Sequence, residues 1–195
     1  MTKYVNTPFF LFLRFILKWL IRPMAFIFKG YRIVGKKNLP KKRKACIVIC
    51  NHAAFADSVY MICSLKPRFT ICGARPVYFE RFLKRNTLRT ANIMQVVNHD
   101  QYVADCGKLL KAGEIILIYP EMGRFPEGLG KFKTWAAEVA IDNQVPVIPC
   151  YIYGTSTGHE GRPKLIVGET ITPSGAPDSL TQIFFDEISN LQKNT

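Results

Sequence analysis

Residues 46–57 read Cys46-Ile47-Val48-Ile49-Cys50-Asn51-His52-Ala53-Ala54-Phe55-Ala56-Asp57. The stretch begins as a short apolar run, which predicts a buried strand over residues 45–50. The polar pair Asn51-His52 ends this run, and from Asp57 the chain can form a helix over residues 57–65. We therefore expect His52 at the junction of a strand and a helix, where open α/β sheets bind their ligands.

The spacing between His52 and Asp57 suits proton transfer. An imidazole exchanges a proton near neutral pH, and a nearby carboxylate fixes its tautomer and stabilises its charged form. Such a pair can remove a proton from a hydroxyl group. The same spacing fits an aspartate that caps a helix beside a surface histidine, so the rest of the chain has to decide between the two interpretations.

Charge is distributed unevenly along the 195 residues. The formal net charge is +13, from 27 Lys and Arg residues against 14 Asp and Glu residues. Residues 1–44 hold 12 of the basic residues, and residues 1–56 hold no acidic residue. A basic N-terminal part suits a nucleic-acid binder or a protein that sits on anionic lipid. The six cysteines include no Cys-x2-Cys pair, which predicts reduced thiols in a cytosolic compartment and no metal site.

Residues 7–28 form the most apolar part of the chain. Arg14, Lys18 and Arg22 interrupt it and fall within about 80° of one another on a helix, and we expect Pro23 to break that helix. One basic stripe with apolar residues around the remainder is typical of a helix that lies in a membrane interface. A membrane-spanning helix and a helix packed on the protein body are the alternatives.

Strands and helices alternate through the rest of the sequence. We predict strands at residues 31–35, 68–73, 93–97, 114–119, 145–153 and 165–167. We predict helices at residues 78–91, 102–111, 132–143 and 179–192. Two prolines should push the strand at 145–153 to an edge or a bulge. The alternation predicts an α/β fold with a mixed, largely parallel sheet flanked by helices, preceded by the N-terminal helical segment.

A second polar cluster, Tyr119-Pro120-Glu121-Met122-Gly123-Arg124, follows the predicted strand at 114–119. The carboxyl ends of parallel strands meet at one sheet edge, so we expect this cluster to lie near His52. Arg124 offers a planar guanidinium that suits a phosphate. Glu121 could accept a hydrogen bond from a hydroxyl group or hold Arg124 in place. A surface ion pair in a loop is the alternative.

Four motifs in this order resemble the 1-acylglycerol-3-phosphate acyltransferase (lysophospholipid acyltransferase, PlsC-like) family. They are Asn51-His52-x4-Asp57, Pro120-Glu121-x-x-Arg124, Lys131-Phe132-Lys133 and Val145-Pro146-Val147-Ile148-Pro149. The resemblance covers residues 31–172. It implies a catalytic domain over residues 31–195 and a membrane-docking segment over residues 1–30, at the cytoplasmic face of the cell membrane.

The resemblance also implies a reaction. A fatty acyl group would pass from acyl-CoA or acyl carrier protein to the hydroxyl of a lysophospholipid such as 1-acylglycerol-3-phosphate. His52 would be the general base, Asp57 would orient it, and backbone N–H groups would stabilise the oxyanion. The strand at 145–149 would line the acyl or thioester channel. The implied partners are membrane lipid and the acyl donor, without metal, cofactor or nucleic acid. The implied substrate-binding residues are Asn51, Glu121, Gly123 and Arg124.

The sequence departs from the family pattern at three places. The third family motif is usually Glu-Gly-Thr-Arg, whereas the glycine here comes one residue later, at Gly123. Asn98-His99 stands where the family has an arginine that contacts phosphate, so a different acceptor, such as an amino-acid-containing lysolipid, is an alternative. Trp135 replaces a usual small residue. A literal Phe-Pro-Glu-Gly follows at 125–128, but we prefer Glu121 because it directly ends a strand.

Two rival interpretations were weighed. Gly154-Thr155-Ser156-Thr157-Gly158 fits a hydrolase nucleophile elbow, but Gly161 and Pro163 oppose the helix that must follow, and no histidine comes after His159. We interpret this segment as a loop, and His99 and His159 as loop or surface histidines. A non-catalytic basic protein that binds membranes is the alternative from another class, but it would not need His52 paired with Asp57.

Overall fold

The computed structural model describes residues 8–40, 44–65, 69–74, 92–155 and 161–194. The helix predicted at 78–91 lies outside these residues, as does His159. The strands are β1 (Arg32–Val34), β2 (Cys46–Cys50), β3 (Phe69–Ala74), β4 (Ile93–Gln95), β5 (Ile115–Ile118), β6 (Val147–Tyr153) and β7 (Lys164–Val167). The α-helices are α1 (Pro8–Pro23), α2 (Phe55–Ser64), α3 (His99–Lys111), α4 (Trp135–Asn143) and α5 (Pro177–Lys193).

The described strands form one sheet in the order β1-β7-β6-β2-β5-β3-β4. Every neighbouring pair is parallel except β6 and β7, which are antiparallel. The predicted mixed, largely parallel α/β sheet is therefore confirmed. This topology brings the carboxyl ends of β2 through β6 to one edge of the sheet, together with the amino ends of β1 and β7. We call it the site edge, and it carries residues 50–57, 118–124 and 153–155.

The central strand β2 is buried along its whole length. Ile47 and Ile49 pack on the side of the sheet covered by α3, α4 and α5, whereas Val48 and Cys50 pack on the other side with residues of α2. Since both faces are covered, the strand is apolar without alternation, as is usual for parallel sheets. This explains why a continuous apolar run was a reliable strand signal here.

The strand with two prolines is not an edge strand, so the edge half of the prediction of an edge or a bulge is wrong. The bulge half agrees with the pairing, because Val147 faces Ile171 and Cys150 faces Val167, which is three steps against four. β6 lies inside the sheet, between β2 and β7. Its pairing with β7 begins at Cys150, one residue after Pro149, whose carbonyl accepts a hydrogen bond from the Gly168 N–H at 2.8 Å. Pro149 therefore lies just outside the β6–β7 ladder, where its missing N–H interrupts no ladder bond.

The prediction that Pro23 breaks the N-terminal helix holds for the α-helix, which ends at Pro23, but the chain stays helical beyond it. Pro23 has helical φ and ψ angles of −57° and −42°, and the chain continues as a π-helical turn over Met24–Phe28. A proline ring fixes φ at a helical value and removes one N–H, and the change from α to π hydrogen bonding accommodates that loss. Ala25 in this turn is buried against the sheet, so the segment is attached to the body.

Helix α1 directs a broad apolar surface outward. Lys18 Nζ donates a hydrogen bond to the Leu65 carbonyl, so this cation of the predicted basic stripe faces the body. Burial, with the charge of Arg22, lowers the pKa of Lys18 to about 8. No helix among the described residues combines the length and apolarity that a membrane crossing requires. The outer apolar face consists of large side chains that are 52–74% exposed, namely Phe12, Phe15, Trp19, Leu20, Met24 and Ile27.

Gly35 is expected to be among the positions least tolerant of substitution. Its φ is +72°, and a Cβ at this residue would lie 2.2 Å from the Val167 carbonyl oxygen. We predict that Gly35→Ala lowers the unfolding free energy by about 3 kcal/mol or more, because backbone strain and a backbone clash add. Gly175 has a similar φ of +79° with no atom within 4 Å of its Cβ position. Gly175→Ala should therefore cost only about 1 kcal/mol, and equal losses in urea denaturation would refute the clash.

Candidate active site

The imidazole of His52 and the carboxylate of Asp57 meet at the site edge. His52 Nδ1 lies 3.0 Å from Asp57 Oδ2, and the His52 side chain is 14% exposed. An ionised carboxylate only accepts hydrogen bonds, so the proton of a neutral His52 lies on Nδ1. The lone pair is then on Nε2, which is the arrangement that a general base requires.

Asp57 is fully buried and holds the turn between β2 and α2. Its Oδ2 also accepts the backbone N–H groups of Ala53 and Ala54, at 2.7 and 2.8 Å. Its Oδ1 accepts the hydroxyl of Thr155, which follows β6. The carboxylate is therefore fixed by groups from two segments, and His52 is oriented against a rigid partner. The alternative interpretation, in which the aspartate caps a helix, holds as well, because Asp57 both caps α2 and contacts His52.

Tyr119 supports the other side of the imidazole. Its ring stacks on that of His52 with a centroid distance of 4.1 Å and an interplanar angle of 15°. Its hydroxyl lies 3.1 Å from Ser58 Oγ, and burial raises the pKa of the Tyr119 hydroxyl well above its usual range. Tyr119 is thus a neutral, fixed platform. Sequence reasoning missed the supporting roles of Tyr119, Ser58 and Thr155, although the position of Tyr119 at the end of one predicted strand and of Thr155 just after another was an available signal.

Glu121 joins two loops. Its Oε2 accepts the His52 N–H at 2.6 Å and its Oε1 accepts the Gly130 N–H at 2.9 Å. The residue is only 5% exposed, and the Phe125 N–H donates to the His52 carbonyl at 2.7 Å nearby. The carboxylate therefore secures the backbone of His52 within the protein. A direct role of Glu121 in substrate binding stays a prediction, as does an oxyanion site built from backbone N–H groups.

The buried carboxyl of Glu121 should make stability depend on pH. Burial raises its pKa from 4.5 to about 7, although two backbone donors oppose the shift. A pKa that is higher in the folded state means that folding takes up a proton, so this contribution is full at low pH and is lost as pH rises through about 7. We expect the stability advantage of the wild type over Glu121→Gln to shrink between pH 5 and pH 8 in urea denaturation. A difference that stays constant with pH would contradict this.

The other predicted binding residues differ in accessibility. The Asn51 amide is buried and spans β2 and β6, with Nδ2 donating to the Ile152 carbonyl at 3.0 Å and Oδ1 accepting the Ile152 N–H at 2.7 Å. Arg124 is exposed, and its guanidinium lies 5.9 Å from the ring centroid of Phe55, which is 59% exposed. The Asn51 side chain is therefore occupied by hydrogen bonds to the backbone of β6, whereas the exposed Arg124 side chain can contact a ligand. No described ion pair joins Arg124 to Glu121.

The displaced glycine has a structural counterpart. Met122, not Gly123, adopts the left-handed conformation, with a φ of +52°. This is the conformation that glycine favours and that costs other residues about 1–2 kcal/mol. The Glu-Met-Gly-Arg sequence therefore keeps a left-handed residue directly after Glu121, while Gly123 itself has no positive φ.

The departures around His99 form a separate cluster. Asn98 caps α3 by accepting the Gln101 N–H at 2.9 Å. His99 begins that helix, and its Nε2 lies 2.6 Å from Glu138 Oε2 on α4, so its assignment to a loop is wrong. Trp135 packs against the rings of His99 and Tyr102. The described residues contain no group of three or more His, Cys, Asp or Glu side chains that could hold a metal ion.

Residues 30–153 match the protein family described as Acyltransferase. The chain belongs to the acyltransferase family. The family resemblance predicted from the four motifs is therefore confirmed.

The individual relatives have low sequence identity to this chain. The chain is 28% identical over 138 residues to the chloroplastic 1-acyl-sn-glycerol-3-phosphate acyltransferase BAT2 of Brassica napus, covering 66% of this chain and 40% of that protein. It is 26% identical over 149 residues to the 1-acyl-sn-glycerol-3-phosphate acyltransferase of Bacillus subtilis (strain 168), covering 73% and 74%. A Chlamydomonas reinhardtii relative with the same activity in its name is covered over 48% of its length, so the chain spans about half of some relatives.

A solved structure shows the same fold. The 1-acyl-sn-glycerophosphate (LPA) acyltransferase PlsC from Thermotoga maritima superposes with a TM-score of 0.74 and 18% identity, covering 92% of this chain and 80% of that chain.

The resemblance implied that the strand at 145–149 lines the acyl or thioester channel, and the structure disagrees with this. Val147 is fully buried and Ile148 is 4% exposed, and both pack in the core on either side of β6, so this segment fills the sheet interior rather than a channel.

Proposed function

We propose that this protein transfers a fatty acyl group from a thioester donor to the hydroxyl of a lysophospholipid of the 1-acylglycerol-3-phosphate type. The observation that carries the proposal is the imidazole of His52, held at 3.0 Å by the buried Asp57 beside the exposed guanidinium of Arg124. The family match and the named activities of the relatives support the same reaction class.

The proposed chemistry needs one base and no covalent acyl-enzyme. His52 Nε2 takes the proton of the acceptor hydroxyl while its oxygen forms a bond to the thioester carbonyl carbon. Asp57 stabilises the imidazolium that results. The tetrahedral intermediate then expels the thiolate, which receives the proton from His52. The products are the diacylated lipid and the free thiol of the donor.

Arg124 is the proposed contact for the acceptor's head group. A guanidinium binds a phosphate through two parallel N–H bonds, and Arg124 directly precedes Phe125, whose N–H is bonded to the His52 carbonyl. This brings the backbone of Arg124 next to a segment that is bonded to His52. An amino-acid-containing lysolipid stays the second candidate. Asn98 and His99 stand where the family has an arginine that contacts phosphate, and both are bonded within the protein, Asn98 as the cap of α3 and His99 to Glu138.

A panel of lysolipid acceptors, assayed with purified protein and acyl-CoA, tests the proposal. We expect the highest kcat/KM with the phosphate-bearing acceptor, and Arg124→Gln should raise the KM for that acceptor about tenfold. Transfer to a zwitterionic lysolipid with undiminished kcat/KM would favour the second candidate. Absence of transfer to every acceptor would favour the non-catalytic membrane-binding alternative.

We propose that residues 1–30 dock the protein on the cytoplasmic face of the membrane and that residues 31–195 form the catalytic domain. The outer apolar face of α1 supports this, since an exposed apolar face of this size is typical of an interfacial helix. The start of the family match at residue 30 fits the boundary. The six cysteines are free and buried, which fits a reducing compartment.

Membrane docking should depend on the outer apolar face. Trp19 is 69% exposed at the centre of this face, and Trp19→Glu should weaken pelleting with phosphatidylglycerol vesicles about tenfold, because it places a charge in the lipid interface. Ile183→Glu is the matched control, since Ile183 is a 44% exposed apolar residue on α5. An equal loss with the two variants would show that α1 is not the docking element.

A further inference from the structure

A pocket of about 280 Å³ lies at the same edge of the sheet as the candidate active site. It is lined by Arg32, Tyr153, Arg162, Pro163 and Lys164. Arg32 and Lys164 begin β1 and β7, and Tyr153 ends β6, so all three lie at the site edge. Three of the five lining residues are cations, and no pattern in the sequence indicates that they meet.

The strand register explains how the cations come together. Lys164 pairs with Arg32 across the parallel β1–β7 ladder and with Tyr153 across the antiparallel β6–β7 ladder. Paired residues project from the same face of a sheet, so these three side chains form one row. Arg162 also lines the pocket, and its side chain passes close to the Gly30 backbone. A Cβ at Gly30 would lie 2.9 Å from Arg162 Cδ.

The cations are held together without an acidic partner among the described residues. None of the described ion pairs involves Arg32, Arg162 or Lys164. Like charges that face each other across a ladder are destabilising. A surface that keeps such a pair in register, with a second guanidinium beside it, is suited to an anion with several oxygens.

The pocket is connected to the catalytic pair through one strand. Within four residues at the end of β6, the Ile152 backbone bonds the Asn51 amide, Tyr153 lines the pocket, and the Thr155 hydroxyl bonds Asp57. In the sheet order, β7 and β1 lie two and three strands from β2. At about 4.8 Å per strand, β7 and β1 are offset from β2 by roughly 10–14 Å along the sheet. The row of Arg32, Tyr153 and Lys164 projects from the face opposite to Ile33, Ile152 and Leu165, which pack on the α2 side.

This distance distinguishes the two substrates. In a 1-acylglycerol-3-phosphate acceptor, four bonds join the reacting oxygen to phosphorus, a reach of at most about 6 Å. In a phosphopantetheine thioester, about thirteen bonds join sulfur to the first phosphorus, which spans roughly 16 Å when extended. A phosphate in this pocket can therefore belong to a donor whose thioester lies at His52, whereas the acceptor's phosphate cannot reach it.

We infer that the pocket formed by Arg32, Arg162 and Lys164 binds a phosphate of the phosphopantetheinyl acyl donor. The inference rests on the proposed acyl transfer and adds to it the location of the donor. Acyl-CoA and acyl carrier protein share the phosphate of the phosphopantetheine arm, and CoA carries further phosphates on its nucleotide. The acceptor's phosphate stays with Arg124, so the two substrates use separate cations.

Steady-state kinetics with three donors of one acyl chain length test the inference. The donors are acyl-CoA, acyl carrier protein and the N-acetylcysteamine thioester, which has no phosphate. The double variant Arg32→Gln/Lys164→Gln should raise the KM for acyl-CoA about tenfold, with kcat and the KM for the lysolipid changed less than twofold. With the phosphate-free thioester, the variant should equal the wild type. Lys111→Gln, which removes an exposed cation at the far end of α3, is the matched control.

The outcomes separate the two phosphate sources. An equal penalty with acyl-CoA and acyl carrier protein assigns the pocket to the shared arm, and a penalty with acyl-CoA alone assigns it to the nucleotide phosphates. A change confined to the KM for the lysolipid, or an equal penalty with the phosphate-free thioester, would overturn the inference.

Calorimetric titration with free CoA gives a readout that does not depend on turnover. The double variant should bind CoA about tenfold more weakly than the wild type and than Lys111→Gln, and equal affinities would overturn the inference. If the wild type transfers no acyl group, the proposed function fails, and the titration by itself still decides whether the pocket binds a phosphate-bearing donor.

Discussion

Replacement of His52 by alanine is expected to lower kcat at least about a thousandfold, with little change in stability. General-base catalysis by a positioned side chain contributes up to about 10⁴ in rate, and the other described histidine, His99, is bonded to Asp100 and Glu138 rather than to Asp57. The side chain of His52 is 14% exposed, and its loss leaves the backbone bonds to Glu121 and Phe125 in place. The measurement is kcat for acyl transfer to a lysolipid, alongside thermal unfolding.

His99→Ala is the matched control for this experiment. His99 lies at the start of α3 and contacts Glu138 and Trp135, away from Asp57. We expect this variant to keep kcat within about threefold, because it removes a histidine that the proposed reaction does not use. Retained acyl transfer in His52→Ala would remove His52 from the mechanism, and vesicle pelleting should be the same for both variants.

Asp57→Asn should lower kcat by about a hundredfold to a thousandfold without unfolding the protein. The amide oxygen can replace Oδ2 as the acceptor for His52, Ala53 and Ala54, and the Thr155 hydroxyl can rotate to accept from the amide group. The imidazole then keeps its orientation and tautomer but loses the charge that stabilises the imidazolium. The rate loss therefore measures the contribution of the charge.

Asp57→Ala separates catalysis from structure at the same position. It leaves the N–H groups of Ala53 and Ala54 and the hydroxyl of Thr155 without their acceptor, so we expect it to cost about 3 kcal/mol of unfolding free energy besides the rate loss. Urea denaturation of the two variants at one pH distinguishes them. An Asp57→Asn variant with full activity would show that the carboxylate only positions the turn.

Much of the fold could be predicted because its local signals are strong. The apolar runs that became β2 and β5 are buried on both faces, and the α5 pattern placed Leu180, Phe184 and Ile188 in the core. Ile183 belongs to the same apolar pattern in the predicted helix at 179–192, yet it is 44% exposed. Ile183 lies at the margin of the apolar stripe of α5, so its exposure depends on the orientation of this helix on the sheet.

The site was predicted in its chemistry but not in all its contacts. His52 and Asp57 are five residues apart, so the turn between β2 and α2 brings them together by local geometry. Glu121 was expected to face the substrate, whereas its two oxygens accept N–H groups from residues 52 and 130. Which way a buried carboxylate points depends on which distant backbone donors need an acceptor, and the sequence does not contain that information.

The sequence by itself determined the strand–helix alternation, the paired histidine and aspartate, and the apolar N-terminal helix, because periodicity and short spacing act over a few residues. Only the tertiary structure decided that β6 lies inside the sheet, that Thr155 and Tyr119 support the catalytic pair, and that three cations line one pocket. These features arise from strand order and register. Both are fixed by packing between residues that lie up to about 130 positions apart in the sequence, such as Arg32 and Lys164. A local sequence pattern contains no information about such distant pairs.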